Sequence, residues 1–154
     1  MDLINNRTKD IAAMALDGLY ERSKAISANT VNALTPNYQR KEVSFEQSLK
    51  GIIQKENEKE EMKLQNSLEY QKNPSSILKG QDIAKLSFLN SDTGKDFFID
   101  VEVDSQEPLD DNNNNVNLEK EMMDEAKTGM QYQIVANLLS KSYTQLASVI
   151  KGQN

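Results

Sequence analysis

The 154-residue sequence contains no Cys, no His and no Trp, with only three Pro, six Gly and 6% aromatic residues. The missing Cys and His exclude disulfides, thiolate nucleophiles, imidazole acid–base chemistry and most Zn, Cu or haem sites. Any chemistry would fall to carboxylates, Lys, Tyr, Ser or Thr. No apolar run approaches the about 20 residues that a bilayer span requires. The opening stretch Met1-Asp2-Leu3-Ile4-Asn5-Asn6-Arg7 lacks the basic and then apolar order of a conventional secretory signal. Hydrophobic residues make up 37% of the chain, so a core would be built from Leu, Ile, Ala and Met. That is thin material for a globular enzyme. The net charge is −6, from 24 acidic and 18 basic residues, which repels nucleic acid and anionic lipid and argues against either as a partner.

What is present divides into three parts: residues 1–40, a middle segment 41–116, and 117–154. The first reads as a helix from about Asn5 to Leu34, interrupted by neither Pro nor any Gly except Gly18. Ala12, Leu16, Leu19, Ser23, Ile26, Thr30 and Ala33 recur at steps of three and four, the spacing of one narrow seam. Thr35-Pro36-Asn37-Tyr38 ends it, because Pro restricts the residue before it and Asn tolerates a left-handed turn. The last part reads as a helix from Asn117 to Lys151, with Asn117 as N-cap, Glu119 and Glu121 in the first turn, and Gly152 as terminator. Its stripe runs through Leu118, Met122, Glu125, Gly129, Tyr132, Ala136, Leu139, Tyr143, Leu146 and Ile150.

The middle carries weaker signals. Ser44-Phe45-Glu46-Gln47 matches a capping box, so a helix is expected near Phe45, continuing into the charged run Lys55–Lys63 as a solvated arm. Phe97, Ile99, Val101 and Val103 alternate as one face of a strand, expected to pair as a short β-hairpin with Ala84–Leu89. Asp110–Asn115 reads as a polar loop. Asp100, Glu102 and Asp104 place carboxylates on one strand face, yet without EF-hand spacing they read as a solvent-facing edge. Lys79-Gly80 and Thr93-Gly94-Lys95 lack phosphate-loop spacing. No catalytic residue, metal site, cofactor or small-molecule substrate is assigned, and the chain is read as non-enzymatic. The fold class is mainly α: two long terminal helices packed as a coiled-coil-like pair, with a small irregular, β-containing middle.

Energetics sharpen that reading. Burying one stripe side chain contributes about 1.5–3 kcal/mol, whereas each helical backbone position costs about 1–2 kcal/mol to fix. A single seam therefore cannot hold a helix of this length alone. The two ends are expected to pack on each other and on neighbouring molecules, while periodicity alone leaves an ordinary antiparallel bundle open as the alternative.

The segment Ser27–Arg40 resembles the N-terminal signature of the rod, hook and related axial proteins of the bacterial flagellum, A-x-N-I-A-N-A-x-T-P-G-Y-x-R. Asn29, Asn32, Ala33, Thr35, Pro36, Tyr38 and Arg40 fall on the pattern, while Thr30 replaces Ile and Asn37 replaces Gly. The Gly position implies positive φ, and Asn is the commonest substitute there. Asn115–Met122, Gln131-Tyr132-Gln133 and Leu138-Leu139-Ser140 are similar to the closing helix of proximal rod members. The resemblance spans about residues 8–50 and 108–152. It implies a structural subunit that self-assembles into a helical tube and transmits torque from motor to hook. Implied partners are further copies of the chain, rod proteins such as FlgC and FlgF, the adaptor FliE and the basal-body membrane ring. Implied localisation is the basal body in the cell envelope and periplasmic space, reached through flagellar type III export. Assembly contacts are then expected at Leu16, Leu19, Ile26, Asn29, Asn32, Thr35, Pro36, Tyr38, Leu118, Met122, Tyr132, Leu139, Tyr143, Leu146 and Ile150. The alternative is a cytoplasmic helical chaperone or adaptor of the same export system, whose terminal helices would be protected in the monomer.

Overall fold

The computed structural model describes residues 6–72, 96–104 and 110–152. The described elements are α1 (Asn6–Val31), β1 (Lys41–Ser44), α2 (Glu46–Lys72), β2 (Asp100–Val103) and α3 (Leu118–Ile150). The chain is thus mainly helical, with long helices at both ends. It forms two compact units, one comprising Met1–Gln47 with Phe98–Asn154 and the other Ser48–Phe97.

In the first unit α1 and α3 run antiparallel. Lys9 lies over the Tyr143 ring, Ser23 meets Glu125, and Asn29 meets Glu121, so partners descend along α3 as they climb α1. The helix ends follow local chemistry. Asn117 Oδ1 accepts from the amides of Glu119 at 3.0 Å and Lys120 at 3.2 Å, the expected N-cap. Gly152, at φ +66°, supplies the left-handed residue after α3. The capping box expected between Ser44 and Gln47 does not form: α2 begins at Glu46, and the Phe45 amide donates to the adjacent Glu46 Oε2 at 3.2 Å instead.

The least exposed line of α3 passes through Glu121, Thr128, Val135, Leu139 and Leu146. This differs in part from the apolar stripe read from the sequence: its Ala136, Leu139 and Leu146 are half-buried, but towards Leu118 the buried line is rotated away from it. Polar partners cause the rotation, because Glu121 is the residue that meets Asn29 and Arg40 there. Apolar core residues of this unit are Leu19, Ala25, Ile26, Val43 and Phe45. Gly18 allows the close approach of Phe45, since a Cβ built there would fall inside the contact radius of the ring.

The two strands pair antiparallel, Lys41 opposite Val103 and Ser44 opposite Asp100. Of the expected 97–103 strand only Asp100–Val103 forms, and its partner is Lys41–Ser44, far away in sequence; the expected partner, 84–89, lies outside the described residues. In the second unit α2 carries the charged run. Glu58, Glu60 and Glu61 are exposed as a solvated face requires, whereas Lys59 is buried and pairs with Glu56 at 3.0 Å. Lys55 Nζ reaches Asp96 Oδ2 at 2.7 Å, and that pairing holds the Asp96 carboxyl below its ordinary range.

Candidate functional site: a buried polar latch

The turn that leaves α1 delivers its side chains to one place. Asn37 has φ +62°, the left-handed geometry expected where the pattern carries Gly, and its amide donates to Asn112 O at 2.9 Å. The chain then returns so that Tyr38 O–H donates to Asn29 Oδ1 at 3.2 Å. Asn29 is fully buried and clamps the Lys41 backbone: Nδ2 donates to Lys41 O at 2.8 Å, and Oδ1 accepts from Lys41 N at 2.9 Å. The same Nδ2 donates to Glu121 Oε2 at 3.0 Å, which ties the end of α1 to the start of α3.

Arg40 is the centre of the arrangement. Its side chain is 5% exposed, and its donors reach three carboxylates: Glu121 at 2.6 Å, Asp104 at 2.8 Å and Asp124 at 3.2 Å. Burial by itself would lower the Arg40 pKa, but the hydrogen bond and charge of Glu121, with Asp104 and Glu42, outweigh it and raise it above the ordinary value. Burial, then the Glu121 charge, also raise the Tyr38 hydroxyl. Asp104, expected beside Asp100 and Glu102 on a solvent-facing edge, is buried here instead; the buried guanidinium supplies its countercharge.

The polar loop before α3 completes the latch. Asn114 Nδ2 donates to three carbonyls of the turn that follows α1, Asn32 at 2.9 Å, Ala33 at 3.2 Å and Thr35 at 2.9 Å, reinforcing the turn's own bonds from Thr35 N to Asn32 O and from Tyr38 N to Thr35 O. Asn115 fills the place of a missing strand bond: its Oδ1 accepts from Arg40 N and its Nδ2 donates to Asp104 O, both at 2.6 Å. Asp110 Oδ1 accepts from the amides of Asn112 and Asn114, and Asn113 sits at φ +59°. Among the described residues, no buried side-chain nitrogen or oxygen lacks a hydrogen-bond partner.

Of the residues singled out in the sequence, Leu19, Ile26 and Asn29 are buried, and Leu16, Asn32, Tyr38, Leu139 and Leu146 half-buried. Asn32 Nδ2 donates to Ala28 O at 2.8 Å, a local helix-end bond. Thr35, Pro36, Leu118, Met122, Tyr132 and Tyr143 are exposed, and Ile150 is the last residue of α3. Sequence reasoning missed the roles of Glu121, Asn114 and Asn115. Glu121 read as a first-turn charge, and the two Asn were hidden in a run of four. Arg40, the last residue of the motif, was the available clue.

A cleft of about 270 Å³ lies beside the latch, lined by residues that include Arg22, Ile26, Arg40, Val43, Asp124 and Thr128. Arg22 closes one side by donating to Val43 O at 2.9 Å and Glu46 Oε1 at 2.6 Å, with its guanidinium 4.8 Å from the centre of the Phe45 ring. The charged groups of the latch are mutually paired. What the arrangement does is hold two helix ends and a strand pair in one geometry.

No protein-family model matches the chain. It is similar to the flagellar basal body rod protein FlgB of Borreliella burgdorferi, 26% identical over 149 residues, covering 94% of this chain and 96% of that protein. The likeness therefore extends through the middle segment, beyond the two terminal motifs.

Proposed function

We propose that the chain is a structural, non-enzymatic subunit of the bacterial flagellar basal body rod, of the proximal-rod FlgB type. The observation that carries the reading is the outer surface of α3. Met123, Met130, Ile134 and Leu138, at 66%, 61%, 59% and 62% exposure, form an apolar line that α1 does not cover. Leu118 and Met122 lie exposed on another side of the same helix. Apolar lines of this length on a monomer mark an interaction surface, and a tube of staggered copies would cover them. The end-to-end similarity to a rod protein supports the same reading.

In this reading the latch sets the angle between the α1–α3 pair and the rest of the unit, and the outer stripes meet neighbouring subunits. Other rod components, FlgC and FlgF among them, together with FliE and the membrane ring, are the proposed neighbours. Type III export and a final place in the basal body belong to the same proposal. The test is genetic and structural: deletion in the source bacterium, with complementation, followed by imaging of isolated basal bodies. Loss of motility with rods absent, and the tagged chain located at the rod base, is the expected result. Intact rods in the deletion strain would overturn it.

A further inference from the structure

The two edges of the strand pair are not equivalent. Asp104 N donates to Arg40 O at 2.8 Å, which makes residues 40 and 104 a hydrogen-bonded pair. By antiparallel alternation, Glu42/Glu102 and Ser44/Asp100 are hydrogen-bonded pairs too, so Lys41 and Val43 turn their main chains to the outside of β1. That edge is closed by side chains: Asn29 takes both Lys41 groups, and Arg22 takes the Val43 carbonyl. On β2 the outward groups are those of Val101 and Val103. Among the described residues nothing bonds to them, and all of β2 is exposed.

We infer that the outer edge of β2 is a docking site for an extended segment of a different polypeptide, one that alternates cationic with apolar side chains and adds as a third strand. Backbone pairing would supply affinity and the flanking side chains selectivity. On one face of the strand Val101 and Val103 are half exposed, ready to meet apolar residues. On the other, Glu102 stands directly opposite Glu42, and Asp100 follows two residues back, a like-charge alignment that is unfavourable by itself. Arg40 pairs with Glu42 at 3.5 Å, whereas among the described residues no cation pairs with Glu102 or Asp100. Cations on the incoming strand relieve that repulsion. A second copy of β2 would add Asp100 and Glu102 to it, which argues against edge-to-edge pairing of identical chains. The inference stands whether or not the chain works in a rod.

The probe is an eight-residue synthetic peptide alternating Lys with Val or Thr, added to the full-length protein while amide exchange is followed residue by residue. Slowed exchange at the Val101 and Val103 amides is expected. Binding should weaken roughly tenfold or more when the peptide carries backbone N-methyl groups on its pairing residues, or when Glu replaces its Lys. Val103→Pro, which removes one outward N–H while sparing the ladder, should weaken binding with an unchanged circular dichroism spectrum. Absent protection at these amides, binding that tolerates N-methylation, equal binding of the Glu peptide, or dimerisation through β2 would each overturn the inference.

Discussion

Arg40 shows how much structure one residue of a short motif can carry. Replacing it with Met would take from buried Glu121 its 2.6 Å guanidinium partner and from Asp104 its 2.8 Å one, leaving Lys120 at 4.0 Å from Asp104, and breaking a buried pair in this way typically costs about 3–5 kcal/mol. Arg40→Met is expected to lower stability by that amount in urea unfolding. Arg40→Lys should recover part of the loss, because an ammonium cannot present a planar fork to several carboxylates. Tyr38 gives the pH signature. Its hydroxyl has a pKa raised above the ordinary 10.0 by burial and by Glu121. A pKa higher in the folded state contributes stability that is intact below the unfolded value and is lost as pH rises through the folded one. Stability should therefore fall above about pH 10, and Tyr38→Phe should flatten that part of the alkaline unfolding profile. At this scale the sequence was partly legible. Asn37 announced its left-handed backbone by standing in a Gly position, and Asn117 announced a cap. Asn114 and Asn115 gave no such sign, because in a run of four Asn nothing local says which amides will meet a distant helix end.

At the scale of elements, the long helices were legible from spacing and caps, while their mutual rotation and the strand partner were not. The α3 stripe counted apolar positions alone, but the facing surface near the latch is chosen by Glu121 and Thr128, which are buried through polar contacts and packing. The strand partner was equally hidden. Antiparallel pairing between residues about 60 apart depends on the latch bringing Arg40 and Asp104 together, which no alternation pattern within either strand encodes. The contact of Gly18 with Phe45 tests how tightly α1 sits against the start of α2. Ala is the better helix former by about 1 kcal/mol, so an unhindered Gly18→Ala would stabilise. Here the added methyl meets the ring, and overpacking typically costs about 1–3 kcal/mol. Gly18→Ala is expected to lower the melting temperature. Combining it with Phe45→Leu should cost less than the sum of the two single changes, a coupling measurable in a double-mutant cycle.

For the whole molecule, cover is distributed unevenly along the helix pair. At the latch end α1 contributes fully buried Asn29 and buried Ile26, Ala25 and Leu19; towards its start, Ala12, Ala15 and Leu16 are only half-buried. Their counterparts near the end of α3, Leu139, Ser142 and Leu146, are likewise half-buried. Local opening free energy follows buried contacts. In a dilute monomer, amides in Arg7–Ala15 and Leu139–Leu146 should thus exchange well before those in Arg22–Val31 and Glu121–Thr128. If the α3 stripe is an assembly surface, adding Asp at Met130 and Ile134 should leave the urea midpoint of the monomer nearly unchanged, since exposed substitutions usually stay within about 0.5 kcal/mol. The same pair of changes should abolish motility in a complemented strain. The two readouts separate cover supplied by neighbours from cover within the chain. Uniform protection of both helices in the monomer, together with motility that survives the Asp pair, would favour a self-contained helical adaptor over a rod subunit.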